Sequence, residues 1–300
     1  FLKYAFIMKN FLLNFKAIIM FIFLIIELTV GFSSITIVNF PRPFVSQKGK
    51  IYLAKISNVV SDWTILGFKV IMDFFHNNRA QYIYESSFDR NDWCLGVSNH
   101  QSWADILIIL SASNYKMPNL RFFMKKELSW IPFVYLANKN LNMPFVNRHK
   151  KSELDRDPSL RFVDYDITIK SCKRLRRAPS TICSYAEGTR FTKEKHALQE
   201  SPYKNLLIPK IGGLATALSA LPEVRFLIDF TVVYKGNKRS AWSFLKGEMA
   251  DVKVKVTKHV IPENLKNKNY LIDEEYREEF KTWLESIWKR KDNDIENLKF

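Results

Sequence analysis

His100 and Asp105 are the residues of this 300-residue chain whose types and spacing are best suited to chemistry. Apolar residues 93–97 predict a short buried strand, and helical spacing begins after Ser102, so we expect His100 in the turn between the two. Within one continuous helix, side chains at this spacing point about 140° away from each other, whereas a histidine just before the helix can fold back onto the carboxylate. A carboxylate that accepts from one ring nitrogen leaves the other nitrogen free to take a proton, so the pair suits a general base.

The same residues also allow a purely structural interpretation. Ser102 and Asp105 have the spacing of a capping box, in which side chains at the start of a helix satisfy free backbone N–H groups. His100 would then be an ordinary turn residue. The spacing alone favours neither the capping box nor the general base.

A second candidate run, Glu187-Gly188-Thr189-Arg190, directly follows residues 181–185, whose apolar pattern predicts a buried strand. In an open α/β sheet, ligands bind beyond the carboxyl ends of the strands, so we expect this run and His100 to lie at the same edge. The glycine lets backbone approach a ligand, the arginine can hold an anion, and the glutamate could orient the arginine.

Two further positions could bring positive charge to a site. Lys125 follows an apolar run, where a lysine either faces a ligand or lies on a solvated loop. Arg148 lies shortly after Phe145, and a guanidinium can clamp a phosphate through two parallel hydrogen bonds. The sequence therefore offers two cations for an anionic substrate without fixing their distance from His100.

The composition favours a partner with negative charge. Lysine and arginine outnumber aspartate and glutamate by 46 to 30, which gives a formal charge of +16, and the chain also has 24 Phe, 12 Tyr and 7 Trp. Such a surface suits a membrane with anionic lipids at least as well as a nucleic acid. The 3 cysteines favour a reducing compartment over a disulfide framework, and no Walker loop, Gly-x-Gly-x-x-Gly motif or zinc-type spacing occurs in the sequence.

Residues 1–43 are expected to anchor the chain in a membrane, which leaves residues 44–300 as one large domain. Between Ala17 and Phe40 the only charged residue is Glu27, and the stretch is long enough for one crossing at roughly 20 residues per bilayer. Basic residues lie on both sides of it, so the positive-inside rule does not choose an orientation. A helical pair that dips into one leaflet is the alternative.

Strand and helix patterns alternate through the rest of the chain. Strands are predicted at residues 82–84, 93–97, 181–185, 226–234 and 252–256, and helices at residues 51–75, 164–177, 215–221 and 272–290. These units predict an α/β fold with a mixed, largely parallel sheet flanked by helices, preceded by an N-terminal membrane-anchoring helical region. The helix at residues 51–75 is amphipathic and would lie against lipid or against the domain, and the tail helix is expected to pack into the core.

Several pieces in a fixed order are more specific than any one of them: Asn99-His100-x4-Asp105, Phe145-x-x-Arg148, Glu187-Gly188-Thr189-Arg190 and a later apolar strand. Together they resemble the PlsC-type 1-acyl-sn-glycerol-3-phosphate O-acyltransferases, a family of glycerolipid acyltransferases, with the nearest resemblance to the bacterial YihG-like subgroup. The resemblance is dense from about residue 93 to residue 234. The departures from the family pattern are Asn142 and Tyr135, where glycine is common, and Ala186, where proline is common.

The resemblance implies a role for each site residue. His100 would be the general base and Asp105 its orienting partner. The grip on the acceptor's phosphate would come from Lys125, Arg148 and Arg190. The other substrate-binding positions would be Asn99, Glu187, Gly188 and Thr189. No metal and no cofactor is implied beyond the acyl donor, which acts as a co-substrate.

The implied reaction moves a fatty acyl chain from acyl-CoA or acyl carrier protein to the free hydroxyl of lysophosphatidic acid, giving phosphatidic acid. Another lysophospholipid acceptor is the first alternative, and a thioester hydrolase is the second. A membrane-associated protein that binds anionic lipid or nucleic acid would be of a different class, although the resemblance implies no nucleic-acid partner. Because acyl donors are cytosolic, the domain is expected to face the cytoplasm from a bacterial inner membrane.

Overall fold

The computed structural model describes residues 2–125, 130, 132–146, 156–157 and 159–300. A six-stranded sheet has the order β1-β8-β7-β2-β6-β3, and β4 pairs with β5 separately. The strands are β1 Ala80–Tyr84, β2 Cys94–Ser98, β3 Leu120–Phe122, β4 Met124–Lys125, β5 Phe145–Val146, β6 Thr181–Tyr185, β7 Phe226–Tyr234 and β8 Val252–Val260. Neighbouring strands run parallel except β7 and β8, which confirms the predicted mixed, largely parallel sheet.

Helices cover both faces of this sheet. They are α1 Leu2–Val38, α2 Gln47–His76, α3 Asp105–Ser113, α4 Pro132–Asn140, α5 Leu160–Lys173, α6 Lys193–Leu198, α7 Gly212–Ala220, α8 Ala241–Leu245 and α9 Glu274–Leu298, with 3-10 helices at Arg174–Arg177 and Glu263–Leu265. Buried residues of α1, α2 and α3 form one core with the sheet, and those of α5, α7 and α9 form the other. Because both faces are covered, every residue of the central strand β2 is buried.

The helices α1 and α2 form an antiparallel pair joined by residues 39–46. Asn39 donates from Nδ2 to Oγ of Ser57 over 2.7 Å near the turn, and Gly31 further along α1 lies directly against Thr64. A side chain in place of Gly31 would collide with Thr64, so the glycine permits the close approach of the two helices. The pairing shows that the predicted amphipathic helix packs against α1.

Helix α1 is also part of the protein core. Its residues Ala17, Met20 and Leu24 are buried in the same cluster as Phe68 and Met72 of α2. Within the described part of the chain, residues 4–38 form one helix that is long and apolar enough to cross a membrane. The division into an anchor that ends at residue 43 and a domain that begins at residue 44 stays a prediction.

Both helices present large apolar side chains to the surroundings. Half or more of the side-chain surface is exposed at Phe6, Phe21, Phe23, Ile26, Val30 and Ile37 of α1 and at Tyr52, Val59, Trp63, Val70 and Phe74 of α2. Apolar surface of this extent marks a face that meets lipid or protein. Both helices of the pair therefore present exposed apolar side chains.

Helix α4, which the sequence did not predict, follows the region of β4. Pro132 opens it at the first helical position, where a missing N–H costs no hydrogen bond. Asn142 follows its end with a φ of 58°, a left-handed conformation that asparagine tolerates better than most residues. Its Oδ1 accepts from Arg42 over 2.5 Å and from Arg177 over 3.2 Å. Asparagine can therefore replace glycine here and also tie the α1–α2 turn to the 3-10 helix.

The tail helix α9 packs into the core, as predicted. Tyr276, Phe280 and Trp288 are completely buried. Lys291 is also completely buried, donates to the carbonyl oxygen of Phe230 over 2.7 Å and forms an ion pair with Asp229. Removing one partner of a buried ion pair leaves an uncompensated charge, so this pair fixes α9 against β7.

Candidate active site

The carboxyl ends of β2, β6 and β7 bring the candidate site together. Ser98 at the end of β2 lies opposite Tyr185 of β6 and Phe230 of β7. His100 follows β2 by two positions and Glu187 follows β6 by two positions, so both predicted runs lie at one edge of the sheet. This confirms the expected neighbourhood of the two runs.

His100 and Asp105 are in direct contact. His100 Nδ1 lies 2.9 Å from Asp105 Oδ2, and the same oxygen accepts from the backbone N–H groups of Gln101 and Ser102 over 2.7 and 2.9 Å. Helix α3 begins at Asp105, whose side chain is completely buried. Asp105 Oδ2 therefore accepts from the Ser102 N–H and contacts His100 at the same time, whereas Ala104, the residue before the helix, makes no side-chain capping bond.

The contact with Asp105 indicates which ring nitrogen of His100 carries the proton. The carboxylate oxygen already accepts from two backbone N–H groups, and an ionised carboxylate has no proton to donate. Nδ1 must therefore be the donor in its contact with Asp105. The lone pair of the ring then lies on Nε2, which has no hydrogen-bond partner among the described residues. The side chain of His100 is 17% exposed, whereas that of Asp105 is completely buried.

Two aromatic rings hold the plane of the imidazole. The His100 ring stacks on Tyr185, with centroids 4.0 Å apart and planes 17° apart, and Tyr185 stacks in turn with Phe122 at 6.1 Å. Burial raises the pKa of Tyr185 well above its usual value, so this ring stays neutral. The stack limits rotation of His100 away from Asp105.

Asn99 is completely buried and connects two strands. Its Nδ2 donates to the carbonyl oxygen of Val232 over 2.9 Å, and its Oδ1 accepts from the Val232 N–H over 2.8 Å. The sequence placed Asn99 among the substrate-binding residues. That role stays a prediction, and in this structure the polar atoms of the amide face β7.

Glu187 is also completely buried, and both of its carboxylate oxygens accept from backbone N–H groups. Its Oε1 accepts from the backbone N–H of His100 over 2.9 Å, and its Oε2 accepts from the N–H of Leu207 over 3.2 Å. The sequence suggested that it binds substrate and orients Arg190, whereas both oxygens are used by backbone. Burial raises the pKa of Glu187 to about 7, although the two N–H groups favour its charged form.

The raised pKa of Glu187 predicts a pH-dependent stability. The folded protein binds the proton more tightly than the unfolded chain, whose glutamate pKa is about 4.5, so stability is fully present below pH 4.5 and is lost as the pH rises to about 7. At ~1.4 kcal/mol per pH unit, the loss is about 3 kcal/mol at most. Glu187→Gln is expected to remove this pH dependence, measured as unfolding temperature in detergent micelles from pH 4.5 to 8. If the unfolding temperatures of the wild type and Glu187→Gln changed in parallel with pH, the prediction would be contradicted.

The run after Glu187 brings cations to the site. Gly188 has a φ of 70°, and a Cβ there would lie 3.0 to 3.2 Å from the side chain of Lys210, which covers this glycine. Lys195 donates to Thr189 Oγ1 over 2.7 Å and to the carbonyl oxygen of Arg190 over 3.0 Å, while the Arg190 side chain is exposed. The sequence predicted Arg190 here and missed Lys195 and Lys210, which belong to the helix and loop that follow.

Of the two remaining predicted cations, the structure describes only the backbone of Lys125. The backbone of Lys125 lies on β4, paired with Val146 of β5, while its side chain is not described. Arg148 lies outside the described residues. The roles of Lys125 and Arg148 therefore stay predictions.

Tyr234 is a site residue that the sequence did not reveal. Its hydroxyl donates to Asp105 Oδ1 over 2.8 Å, the oxygen that His100 does not contact. Burial raises the pKa of Tyr234 well above its usual value, so the phenol stays a donor. The two residues are far apart in the chain, and only the pairing of β2 with β7 brings them together.

Tyr234→Phe is expected to weaken the site without dismantling it. The change removes one donor from a completely buried carboxylate and leaves the three donors on the other oxygen. Hydrogen bonds to charged groups contribute about 1.5–3 kcal/mol, so we expect kcat for acyl transfer to fall roughly tenfold. KM for either substrate should stay within twofold, as a steady-state titration would measure. An unchanged kcat would show that Tyr234 does not position Asp105.

Residues 79–235, which are more than half of the chain, match the sequence profile described as Acyltransferase. The chain belongs to the Acyltransferase family. The family predicted from the ordered motifs is thereby confirmed, while the YihG-like subgroup stays a prediction. The matched segment contains β1 to β7, and with them His100, Asp105 and the run from Glu187 to Arg190.

Two proteins similar to this chain are named as acyltransferases. A 2-acyl-1-lysophosphatidylinositol acyltransferase of Saccharomyces cerevisiae is 25% identical over 242 residues, which cover 66% of this chain and 59% of the yeast protein. A human 1-acyl-sn-glycerol-3-phosphate acyltransferase gamma is 28% identical over 180 residues, which cover 56% of this chain and 43% of the human protein. This chain therefore spans less than two thirds of either relative.

Among solved structures, the 1-acyl-sn-glycerophosphate acyltransferase PlsC of Thermotoga maritima is similar to this chain. The two are 18% identical, the match covers 90% of this chain and 95% of that one, and the TM-score is 0.44.

Proposed function

We propose that this protein is an O-acyltransferase that moves a fatty acyl chain from a thioester to the free hydroxyl of a lysophospholipid. The observation that carries the proposal is the pair of His100 and Asp105, in which Nδ1 is held by a buried carboxylate and Nε2 has no partner among the described residues. A neutral imidazole held in this way is a base for a hydroxyl. Membership of the Acyltransferase family supports acyl transfer as the reaction.

In the proposed step, Nε2 of His100 takes the proton of the acceptor hydroxyl while the hydroxyl oxygen attacks the thioester carbonyl carbon. The new C–O bond forms, the C–S bond breaks, and the imidazolium returns its proton to the departing thiolate. The products are a diacyl lipid and a free thiol, and the base is regenerated. Asp105 stabilises the positive imidazolium that exists between the two proton transfers. No metal and no organic cofactor takes part in this step.

A phospholipid acceptor fits the charge and the apolar surface of the protein. Arg190, Lys195 and Lys210 lie together at the carboxyl end of β6 and could bind a phosphate that holds the acceptor hydroxyl near His100. The exposed apolar faces of α1 and α2 would place the site at a membrane that supplies the lipid. We further propose that the site faces the cytoplasm, where acyl thioesters are made; a bacterial inner membrane stays a prediction.

Lysophosphatidic acid is the acceptor that we propose first. The name of the human relative includes 1-acyl-sn-glycerol-3-phosphate, and that of the yeast relative includes lysophosphatidylinositol. The same cations would suit the phosphomonoester of the first lipid and the phosphodiester of the second, so another lysophospholipid is the alternative acceptor.

An acceptor panel tests the proposed function. The full chain in detergent micelles receives oleoyl-CoA with lysophosphatidic acid, with lysophosphatidylinositol or with no lysolipid, and the released thiol is measured together with the lipid product. We expect thiol release that depends on a lysolipid and equals the diacyl lipid formed. Thiol release without lysolipid would indicate a hydrolase, and no release with any acceptor or acyl donor would refute the proposal.

A further inference from the structure

A pocket of about 630 Å³ lies beside the turn between α1 and α2, and the proposed acyl transfer does not use it. Its walls are the end of α1, the turn, the first residues of α2, helix α4 and the 3-10 helix Arg174–Arg177. Ligand sites commonly have volumes of about 300–1000 Å³, so the pocket is large enough for a small-molecule ligand.

This pocket lies at the edge of the sheet opposite His100. Arg177 precedes β6 by four positions, whereas His100 follows the carboxyl end of β2, and β2 and β6 run parallel. Asn58 of α2 donates to the carbonyl oxygen of Pro179 over 3.4 Å, which holds the half of α2 next to the turn at the amino end of β6. At about 3.3 Å per residue, the five residues of β6 separate the two edges by roughly 13 Å. A ligand in the pocket is therefore separate from the proposed base.

The pocket carries positive charge, and none of its described lining residues is an aspartate or a glutamate. The cations that line it are Arg42, Lys50, Lys139, Arg174 and Arg177. Within the part of the chain that the structure describes, none of the five forms an ion pair with a carboxylate, whereas the neighbouring Arg176 pairs with Glu223. Unpaired cations around one cavity favour an anionic ligand, and guanidinium groups in particular match the oxygens of a phosphate.

Arg42 is held in place by neutral groups. Its guanidinium donates to the carbonyl oxygen of Asn140 over 3.2 Å and to Asn142 Oδ1 over 2.5 Å, and Arg177 donates to the same Oδ1 over 3.2 Å. One amide oxygen therefore brings two guanidinium groups close together. Burial, followed by the charges of Arg177 and Arg174, lowers the pKa of Arg42. An anion that contacts these guanidinium groups would relieve their mutual repulsion.

Apolar side chains line the same pocket. Phe40 and Phe44 lie two positions before and after Arg42, and both are largely exposed, as is Leu136 of α4. The turn follows α1, whose residues 4–38 are long and apolar enough to cross a membrane, so the pocket lies where apolar surface meets charged surface. Lipid phosphates lie at this boundary of a bilayer, with their acyl chains on the apolar side. The combination favours a phosphate that carries apolar chains over a free phosphate.

We propose that this pocket binds the phosphate of an anionic phospholipid of the surrounding membrane, at a site separate from that of acyl transfer. The phosphate contacts Arg42, Arg174 and Arg177, and the acyl chains extend along Phe40 and Phe44. The ligand connects the α1–α2 turn to α4 and to the 3-10 helix, so its binding stabilises the packing of the N-terminal helices. This binding does not depend on the proposed acyl transfer, so either one can be refuted alone.

Native mass spectrometry of the full chain in neutral detergent micelles measures the bound lipid. We expect the wild type to retain dioleoylphosphatidylglycerol more tightly than dioleoylphosphatidylcholine, which has the same acyl chains and no net charge. The pocket variant Lys50→Glu with Arg174→Glu should raise Kd for phosphatidylglycerol on the order of tenfold or more, since attraction to the phosphate becomes repulsion. The matched control is Lys48→Glu with Lys55→Glu, two exposed residues of α2 that do not line the pocket. It should leave Kd within threefold.

The unfolding temperature provides a second measurement, and in lipid-free micelles it also checks that each variant is folded. Phosphatidylglycerol should raise the unfolding temperature of the wild type and the control and leave that of the pocket variant unchanged, because a ligand that binds only the folded state stabilises it. Arg42→Gln should lose the same stabilisation, since its side-chain amide can still donate to Asn142 but carries no charge. KM for lysophosphatidic acid should stay within twofold in the pocket variant, because the pocket lies away from His100.

Four results would overturn the assignment. The first two are an equal Kd for the pocket variant and the control, and equal retention of phosphatidylglycerol and phosphatidylcholine. Displacement of the lipid by equimolar inorganic phosphate would show that the pocket binds a free phosphate instead. A higher KM for lysophosphatidic acid in the pocket variant would show that the pocket belongs to the acceptor site. Phosphatidylglycerol binding as expected without any acyl transfer would refute the proposed function and support the lipid pocket.

Discussion

Alanine in place of His100 is expected to lower kcat for acyl transfer on the order of 10³-fold, with KM for both substrates within a factor of three. General acid–base catalysis contributes roughly 10²–10⁴-fold, and Nε2, which has no partner among the described residues, is the atom proposed to take the acceptor's proton. Its loss removes the base and leaves the binding surfaces in place. Initial rates of diacyl lipid formation with lysophosphatidic acid and oleoyl-CoA measure the change.

The variant should remain folded, which makes the rate interpretable. The backbone N–H of His100 donates to Glu187, and its carbonyl oxygen accepts from Phe191 over 2.7 Å. Alanine keeps both backbone bonds but removes one donor from the buried Asp105 carboxylate and the ring that stacks on Tyr185, so we expect a folded protein with a lower unfolding temperature than the wild type. A rate that stays within threefold of the wild type in a folded His100→Ala protein would exclude His100 as the base.

Asp105→Asn is expected to have the second largest effect, a fall in kcat on the order of 10²-fold. The side-chain oxygen of asparagine can still accept from Gln101 and Ser102, and this orientation keeps an acceptor toward His100 Nδ1. The opposite orientation would direct the asparagine NH₂ at two backbone N–H groups, which no bond could compensate. The ring of His100 is therefore expected to keep its tautomer and to lose only the negative charge that stabilises its protonated form.

The pH dependence distinguishes this loss of charge from a loss of structure. Without the carboxylate, the protonated imidazole is less stable, so the acidic limb of kcat/KM should move to lower pH in Asp105→Asn. The rate is measured from pH 5 to 9 with saturating donor, and the unfolding temperature is recorded at each pH. An acidic limb that moves to higher pH, or a rate equal to that of the wild type, would contradict a role for the Asp105 charge.

The elements with strong local patterns were predictable from sequence. The strand at residues 181–185 and the strand at residues 226–234 have the predicted bounds, because runs rich in β-branched and aromatic residues between polar turns favour buried strands. The contact of His100 with Asp105 was also predictable, because both lie in one short strand-to-helix turn. Local spacing determines such contacts.

The partners that complete the site were not predictable, because they depend on how distant strands pair. Tyr234 reaches Asp105 only through the β2–β7 register, and Asn99 binds the backbone of Val232 for the same reason. The sequence also treated Glu187 as a partner of Arg190, since charge suggests a nearby opposite charge. In the fold, burial directs that carboxylate to backbone N–H groups instead.

The packing of the N-terminal helices was also not predictable from the sequence. The apolar stretch from residue 17 to residue 40 predicted an anchor, but composition alone does not reveal that Ala17, Met20 and Leu24 pack into the core of the protein. Pairing with α2 and contact with the sheet require the positions of residues from several distant segments. The same sequence pattern therefore serves an exposed apolar surface and a protein core at once.

Paired detection of both products gives the most direct measurement of the proposed reaction. Wild-type protein and His100→Ala are incubated with oleoyl-CoA, with and without lysophosphatidic acid, and free thiol and phosphatidic acid are quantified in the same samples. The expected result is one thiol per phosphatidic acid for the wild type, only when the lysolipid is present, and neither product above background for His100→Ala. Phosphatidic acid formed by His100→Ala at the wild-type rate, or thiol released by the wild type regardless of lysolipid, would contradict acyl transfer by this base.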